Sequence, residues 1–357
     1  MSLLKRGKRT ALAASKSVGL FDIVRKSAWR RRHLTILCYH GVSLVDEHLW
    51  NSSYYMSPES FEGRMRLLRE GGYSVLPLDE AIAKMREGTL PEGAATLTFD
   101  DGMYDFHARV APVLERFHLP ATVYLTTFYS DYNRPVFGVF CSYLLWKGRE
   151  HGASLRTLLP DAMSVDLNTV AGRMSARTTI DELALRRGFD AQAKDAFTIQ
   201  LSEALGIDYQ PLIRQRVLHV MNGDEVRELA GRGIDFQLHT HRHRVPLDRE
   251  LFLRELSDNS QRIIDLSRRT PVHFCYPSGV HRPEFLPWLT ESGVVSATTC
   301  ETGLASRDTP PLLLPRIVDG EQLSLLEFEG WLSGPAAFLP RRHRAVPHTA
   351  ETEPSVE

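Results

Sequence analysis

The chain has 357 residues, of which 43% are hydrophobic and 24% charged, and its formal net charge is −1. This composition is typical of a globular protein and excludes collagen-like and low-complexity chains. A nearly neutral chain has no overall attraction for phosphate backbones, so we predict no nucleic-acid partner. The length suits one large domain with insertions or two smaller domains. No apolar run is long enough to cross a bilayer.

Residues 1–33 form a basic amphipathic N-terminal segment. They include ten Lys or Arg residues against one acidic residue, Asp22, and apolar residues such as Leu12 and Phe21 can share one helix face. Such a segment can lie on an anionic membrane surface, or it can be a solvated basic helix that packs on the domain. Charges interrupt every apolar stretch that could be the core of a secretory signal, so we expect a cytoplasmic protein. Under the first interpretation, residues 1–33 contact the inner face of the membrane.

The four cysteines are widely spaced. Cys38, Cys141, Cys275 and Cys300 form no CxxC pair. Without an export signal, they indicate reduced and mostly buried thiols in a cytoplasmic protein. Cys38 and Cys275 lie in apolar runs, which favours packing over metal ligation.

From residue 34 onward, short apolar runs alternate with helical patterns. Strands are predicted at 34–39, 95–99, 121–125, 234–238, 272–276, 294–298 and 312–317. Helices are predicted from Ser57 to Gly71 and at 79–86, 104–117, 224–230, 250–268 and 283–291. This alternation indicates an α/β fold with a mainly parallel sheet and helices outside. Active sites of such folds lie at the carboxyl ends of the strands.

The alternation divides the chain into segments. Residues 34–333 are predicted to form the main domain, and 128–222 to form a mostly helical insertion or cap over one end of it. Residues 334–357 are polar and rich in proline, which predicts a disordered tail.

Two carboxylates follow the strand 95–99. Asp100 and Asp101 precede Gly102, where the backbone can turn sharply. Adjacent side chains at a strand end point in different directions, so one carboxylate can bind a metal ion while the other faces the bound water. Paired aspartates also occur in surface turns without a catalytic role, and the motif alone leaves both interpretations open.

Three histidines follow the strand 234–238. His239, His241 and His243 fall within five residues, and two imidazoles with one carboxylate form a familiar catalytic zinc site that leaves a position open for water. His239 and His243 would share a face on a helical turn, whereas all three would share a face on a strand. These residues therefore do not select the ligating pair, and a polar loop without a metal ion is the alternative interpretation.

Together, these segments resemble the NodB-type polysaccharide deacetylases, carbohydrate esterase family 4. Residues 98–102, Thr-Phe-Asp-Asp-Gly, match the first motif of that family, and 239–243, His-Thr-His-Arg-His, match the second, His-Ser/Thr-x-x-His. The resemblance implies a distorted (β/α) barrel of the polysaccharide deacetylase type. It implies that Asp100 is the general base and His241 an intervening residue. The implied metal ligands are Asp101, His239 and His243, with zinc as the expected divalent ion.

Other segments match one bacterial branch of the family: the Tyr-His strand at 34–42, residues 274–279, and the Leu-Pro-Arg-Ile strand at 314–317. Better-known members carry an Arg before the Pro-Tyr-Gly of their third motif, where it pairs with the base. Residues 274–279 contain none, and we expect Arg316 to supply that charge. The tryptophan-bearing fourth motif and the late Leu-x-His motif, which supplies the general acid, have no clear match. We nominate His40 as the acid, with His281 as the alternative; a hydrogen-bonded core histidine is the other interpretation of His40.

The resemblance implies hydrolysis of N-acetyl groups on an amino-sugar polysaccharide or on a glycolipid or exopolysaccharide precursor. A cytoplasmic location favours the precursor. Two alternatives stay open: a carbohydrate-binding or scaffold protein of the same fold with impaired catalysis, and an amidase or esterase acting on a non-sugar substrate. The motifs specify the reaction, whereas loops and the insertion specify the substrate.

Overall fold

The structure is a computed structural model, and it describes residues 3–151, 155, 158, 159 and 165–339. The strands within these residues are β1 (His33–Tyr39), β2 (Gly41–Val42), β3 (Tyr55–Met56), β4 (Ala95–Phe99), β5 (Thr122–Leu125), β6 (Asp235–Leu238), β7 (His273–Cys275), β8 (Ser296–Thr302), β9 (Ala305–Ser306) and β10 (Leu314–Val318).

The helices are α1 (Leu3–Ser17), α2 (Leu20–Arg25), α3 (Glu47–Trp50), α4 (Pro58–Glu70), α5 (Leu78–Glu87), α6 (Ala111–Phe117), α7 (Phe137–Lys147), α8 (Val170–Arg186), α9 (Ala191–Ala204), α10 (Tyr209–Arg214), α11 (Gly223–Gly231), α12 (Arg249–Ser267), α13 (Phe285–Glu291) and α14 (Leu325–Ser333). Short 3-10 segments lie at Arg30–Arg32, Phe128–Asp131, Pro277–Gly279 and Pro335–Phe338.

Seven of the described strands close into a parallel barrel in the order β1, β4, β5, β6, β7, β8, β10. β10 pairs with β1 to complete the ring, with Leu37 opposite Ile317 and Cys38 opposite Val318. β9 adds to β1 in the antiparallel direction, and β2 pairs with β3 as a separate ribbon. The predicted (β/α) barrel is therefore confirmed, and parallel pairing brings the carboxyl ends of its strands to one rim.

The barrel strands are apolar along their length because helices cover their outer side. β4 and β5 are fully buried, and Leu97 of β4 belongs to the same core cluster as Phe61 of α4. α4 begins as its sequence predicts: Ser57 accepts the N–H of Ser60, and Pro58 occupies the first turn.

The helix predicted from Tyr104 to Phe117 is not regular. Its first half, Phe106–Val110, is a π segment, in which the N–H of Ala111 donates to the carbonyl of Phe106. Pro112 has no N–H and cannot make the bond of a continuous α-helix, which favours a wider turn before it. The widened turn lies a few residues after the two aspartates.

The predicted helical insertion, 128–222, follows β5. Its described helices α7 to α10 share a second hydrophobic core, which includes Phe140 and Leu201 and also Tyr55 of β3. Asp46, in the loop after β2, accepts a hydrogen bond from the Tyr143 hydroxyl at 2.5 Å and pairs with Lys147 at 2.7 Å. The insertion is thus tied to the loop that follows the first barrel strand.

The basic N-terminal segment forms two helices that pack on α14. Gly19, with φ +74°, separates α1 from α2. Leu12 of α1 is buried, and its side chain lies against Gly330 of α14. Within the described part of the chain, every helix is too short or too polar to cross a membrane.

The chain remains helical beyond residue 334, where the sequence predicted that a disordered tail begins. Pro335–Phe338 is a 3-10 helix in which Pro335 and Ala336 are buried. The ring of Phe338 lies 4.7 Å from that of Trp29, so apolar contacts hold this segment to the N-terminal region. The rest of the predicted tail, 340–357, lies outside the described residues.

Candidate active site

The two aspartates form a tight turn at the end of β4. The N–H of Asp100 donates to the carbonyl of Tyr39 at 2.9 Å, which extends the pairing with β1. Asp101 takes φ +70°, a left-handed conformation that Asp tolerates better than most residues. Gly102 follows with φ +75°, and a Cβ there would lie 2.3 Å from Cδ1 of Leu125. The turn therefore requires glycine, and the two neighbouring carboxylates have different partners.

Asp100 binds Arg316 inside the barrel. Nη1 of Arg316 donates to Oδ1 and Nη2 donates to Oδ2, both at 2.7 Å. Arg316 also donates to the carbonyl of Thr299 at 3.0 Å and to Oγ1 of Thr98 at 3.3 Å. Both members of the pair are buried. The structure thus brings the arginine nominated from the sequence to the predicted base.

This pair sets the charge of Asp100. Burial raises the pKa of the carboxyl group, but the Arg316 guanidinium outweighs burial and holds the pKa of Asp100 well below its usual range. Burial likewise lowers the pKa of Arg316, and the carboxylate raises it well above its usual value. Asp100 is therefore an ionised carboxylate at neutral pH.

Asp101 faces the histidines that follow β6. Its Oδ1 lies 3.3 Å from Nε2 of His239 and 3.3 Å from Nε2 of His243. One potential ligand atom from each of the three side chains lies within 4.8 Å of the other two. His239 is buried, whereas the side chains of Asp101 and His243 are 23% and 33% exposed. The cluster is thus accessible from solvent on one side.

A hydrogen bond behind His239 determines which ring nitrogen faces the cluster. Nδ1 lies 2.8 Å from the carbonyl oxygen of Cys275, which can only accept, so Nδ1 carries the proton of the neutral ring. Nε2 then presents a lone pair to the carboxylate of Asp101, 3.3 Å away. When Nε2 carries no proton, these two atoms are both acceptors, and they repel each other at this distance unless a cation lies between them. The residues present therefore fit a divalent metal ion.

His241 is turned away from this cluster. Its Nδ1 lies 2.8 Å from Oγ1 of Thr127, and its ring packs edge-on against Phe128. The described side-chain groups that could hold a metal ion include His243 but not His241. Thr240 and His243 have φ of +61° and +58°, so this segment is neither a helical turn nor a strand.

His40 lies beside Asp100. Its Nε2 is 3.8 Å from Oδ2 of Asp100, and its ring packs edge-on against Tyr54 at 4.5 Å. Nδ1 of His40 is buried and has no hydrogen-bond partner among the described residues. Burial lowers the pKa of His40, and the neighbouring carboxylates offset part of that effect. His281 pairs instead with Glu301 at 3.6 Å.

Two cysteines expected only to pack also contact the site. The Sγ atoms of Cys38 and Cys275 each lie 3.5 Å from Oδ2 of Asp100, and Arg316 donates to Cys275 at 3.1 Å. Burial raises the pKa of both thiols, so they remain protonated and can donate to the carboxylate. A thiol in an apolar strand looks like a packing residue in the sequence, which is why this contact was missed.

Helix α12 supplies two further polar residues that sequence reasoning missed. Asn259 accepts the N–H of His239 at 2.9 Å, and Glu255 accepts the N–H of Arg242 at 2.7 Å. Both side chains are buried. They interrupt the apolar face of an amphipathic helix, and this interruption is the feature of the sequence that could have identified them as functional residues.

The family model for polysaccharide deacetylases matches residues 87–157 and 210–297. The two matched segments contain both aspartates and the histidine motif. They leave out His40, Arg316 and the middle of the helical insertion.

Two curated relatives and one solved structure extend this result. The YxkH protein of Bacillus subtilis (strain 168) is 31% identical over 104 residues, which are 28% of this chain and 35% of that protein. The poly-β-1,6-N-acetyl-D-glucosamine N-deacetylase of Escherichia coli (strain K12) is 30% identical over 101 residues, 28% of this chain and 15% of the relative. The chain therefore spans about a third or less of the curated relatives it matches.

The structure of the Streptococcus pyogenes deacetylase PplD in complex with acetate is similar with a TM-score of 0.54 and 17% identity, over 82% of this chain and 94% of that one. This similarity shows that the two proteins share a fold. The family model and the shared fold together show that the chain is similar to polysaccharide deacetylases over the segments that build the site.

Proposed function

We propose that this protein is a metal-dependent deacetylase that hydrolyses N-acetyl groups on an amino-sugar polysaccharide or on a glycolipid or exopolysaccharide precursor. The observation that carries the proposal is the division between two adjacent carboxylates. Asp100 pairs with Arg316, whereas one oxygen of Asp101 faces two imidazoles. The name of the Escherichia coli relative, an N-deacetylase of poly-β-1,6-N-acetyl-D-glucosamine, supports a glycan substrate.

In this proposal, Asp101, His239 and His243 hold the metal ion. Zinc is the default ion for one carboxylate and two imidazoles. When bound, a divalent ion would polarise the acetyl carbonyl and make a water molecule more acidic. The hydrogen bond from His239 to the Cys275 carbonyl keeps Nε2 aimed at the ion.

Asp100 and His40 are the proposed proton carriers. Arg316 keeps Asp100 ionised and oriented, so that it can take a proton from the water molecule that attacks the acetyl carbon. As the bond between carbon and nitrogen breaks, His40 donates a proton to the leaving nitrogen. The products are acetate and a free amine.

A backbone N–H in the turn after β7 is proposed to stabilise the developing oxyanion. The N–H of Tyr276 donates to Thr298, and that of Gly279 donates to Tyr276. Pro277 has no N–H. We therefore assign this role to Ser278, whose φ is +56°.

The test is acetate release from a panel of N-acetylated glycans, measured with zinc-loaded wild type and Asp100→Asn. We expect the wild type to release acetate, and the variant to lose about 10²- to 10⁴-fold in rate while keeping its metal ion. Metal binding without turnover of any N-acetylated glycan would favour a carbohydrate-binding protein. Turnover restricted to O-acetyl esters or non-sugar amides would favour the alternative of an amidase or esterase.

We also propose that residues 1–33 hold the protein at the anionic inner face of the cytoplasmic membrane. Val18, between α1 and α2, is 73% exposed, and Ile23 of α2 is 65% exposed. Apolar side chains beside basic ones suit an anionic lipid surface. Exposed basic residues of the same segment are Arg6, Arg9, Lys16, Lys26, Arg31 and Arg32.

Point variants test this better than deletion, because Arg30 is fully buried and donates to the carbonyls of Leu332 and Ala94. Co-sedimentation with phosphatidylglycerol vesicles should fall in the variant Val18→Gln/Ile23→Gln. Val295→Gln, at a position that is also exposed, should sediment like the wild type. Equal sedimentation of all three proteins would contradict membrane contact through this segment. Equal binding of the wild type to phosphatidylcholine and phosphatidylglycerol vesicles would contradict a preference for an anionic surface.

A further inference from the structure

We infer that Asn259 and Glu255 of α12 position the histidine loop, residues 239–244, and thereby set the affinity of the metal site. This inference rests on the proposed function, since it takes His239 and His243 as ligands. The two α12 residues act through the backbone and arginines of the loop rather than through a ligand atom. They are therefore positioning residues.

Asn259 ties the loop to the end of β5. Its side chain is completely buried, and Oδ1 accepts the N–H of His239 at 2.9 Å. Nδ2 donates to the carbonyl of Leu125 at 2.9 Å and to Oγ1 of Thr127 at 3.0 Å. The Thr127 hydroxyl also lies 2.8 Å from Nδ1 of His241. The side-chain amide of Asn259 thus holds the backbone of His239 and, through Thr127, the imidazole of His241, which points away from the metal site.

Glu255 holds the other half of the loop. Its Oε2 accepts the N–H of Arg242 at 2.7 Å. Its Oε1 accepts Nη1 of Arg242 at 3.0 Å and Nε of Arg244 at 2.9 Å. Its main-chain carbonyl accepts the N–H of His241 at 3.2 Å. Glu255 is 2% exposed, so a buried carboxylate accepts these charge-assisted bonds and holds the loop strongly.

The loop needs this support because its own conformation is strained. Thr240 and His243 both have positive φ, which costs about 1–2 kcal/mol for each non-glycine residue. Glu255 and Asn259 are four residues apart and lie on one face of α12. A single rigid helix therefore fixes both ends of the strained loop, and the spacing of the two ligands follows from it.

The experiment measures the zinc dissociation constant of metal-stripped full-length protein by competition with a chelating dye. Asn259→Leu and Glu255→Gln should each bind zinc about 10- to 100-fold more weakly, which is the usual cost of losing an outer partner of a metal ligand. Gln261→Leu changes an exposed residue of the same helix and should bind like the wild type. Thermal unfolding of the metal-free proteins records any general loss of stability separately.

Dissociation constants within twofold of wild type in both folded variants would overturn the inference. If Asn259→Leu does not fold, Asn259→Asp replaces it, since it keeps an acceptor for His239 but loses the donor to Leu125 and Thr127. Weaker zinc binding by this variant supports the inference, and unchanged binding contradicts it. If the wild type binds no zinc, the proposed function itself is wrong. If the wild type binds zinc and the variants bind it equally tightly, only the role of α12 is wrong.

Discussion

Asp100 and Asp101 are neighbours in the chain but belong to two regions of different chemistry. The inner region surrounds Asp100: the pair with Arg316 is buried, and two protonated thiols lie beside it. The rim region surrounds Asp101: its carboxylate is partly exposed and faces two imidazoles from one loop. The left-handed conformation of Asp101 separates the two.

The contrast between the two regions explains how one residue type could serve two different roles. In the inner region, a fixed positive charge keeps a carboxylate ionised in spite of burial. At the rim, two imidazoles and solvent access provide what a metal ion requires, namely nitrogen ligands and an open coordination position. The surroundings, rather than the aspartates themselves, distinguish the proposed base from the proposed ligand.

The largest effect is expected at the rim. His243→Ala should weaken zinc binding by more than about 100-fold, since it removes a ligand rather than a partner of a ligand. His241→Ala should stay within about tenfold of wild type, because its imidazole faces Thr127. Chelator competition measures both, and equal losses in the two variants would show that the ligating pair has been assigned wrongly.

The next effect concerns the inner region. Arg316→Met leaves the carboxylate of Asp100 buried and unpaired, which should cost about 3–5 kcal/mol in the free energy of unfolding. The pKa of Asp100 should rise, so the acidic limb of kcat/KM should move to higher pH. Arg64→Met breaks the buried pair with Asp319 outside the site and should cost similar stability without moving the pH profile. Identical profiles in the two variants would contradict the role of Arg316.

A smaller effect on turnover tests the boundary between the two regions. His40→Gln should lower kcat by about 10²-fold with the metal ion retained, because a proton donor is lost. His281→Gln should leave kcat within about twofold, since this histidine pairs with Glu301. The opposite pattern in steady-state assays would assign the acid to His281.

The smallest effect tests whether burial alone lowers the pKa of a histidine that lies outside both regions. His219 is buried, its Nδ1 donates to the Val217 carbonyl, and burial lowers its pKa to about 4. The unfolded chain therefore binds the proton first, so stability is complete above about pH 6.5 and falls as the pH drops toward 4. Between pH 7 and 5 the loss should be about 2 kcal/mol. Thermal unfolding should show that His219→Gln loses less stability than the wild type between pH 7 and 5. His118→Asn changes an exposed position and should lose as much stability as the wild type.

Much of this site could be predicted from the sequence because its parts are encoded locally. Apolar runs and turn residues predicted the barrel strands within a few positions. The carboxyl ends of parallel strands share one rim, so Asp100 and Arg316 could be expected to meet although 216 residues separate them. Residues 335–338, which the sequence assigned to a disordered tail, form a 3-10 helix, and Phe338 packs against Trp29 of the N-terminal segment.

Other features were decided only by the tertiary structure. The choice between His241 and His243 depends on the torsion angles of a loop that is neither helix nor strand, and no periodicity encodes such a loop. The roles of Asn259, Glu255 and Cys275 depend on what each buried side chain meets across the barrel. The sequence alone therefore determined the strands, the turn and the kinds of chemical group, because these follow from short-range preferences. Which group faces which depended on long-range packing, because contacts between distant segments exist only once the barrel has closed.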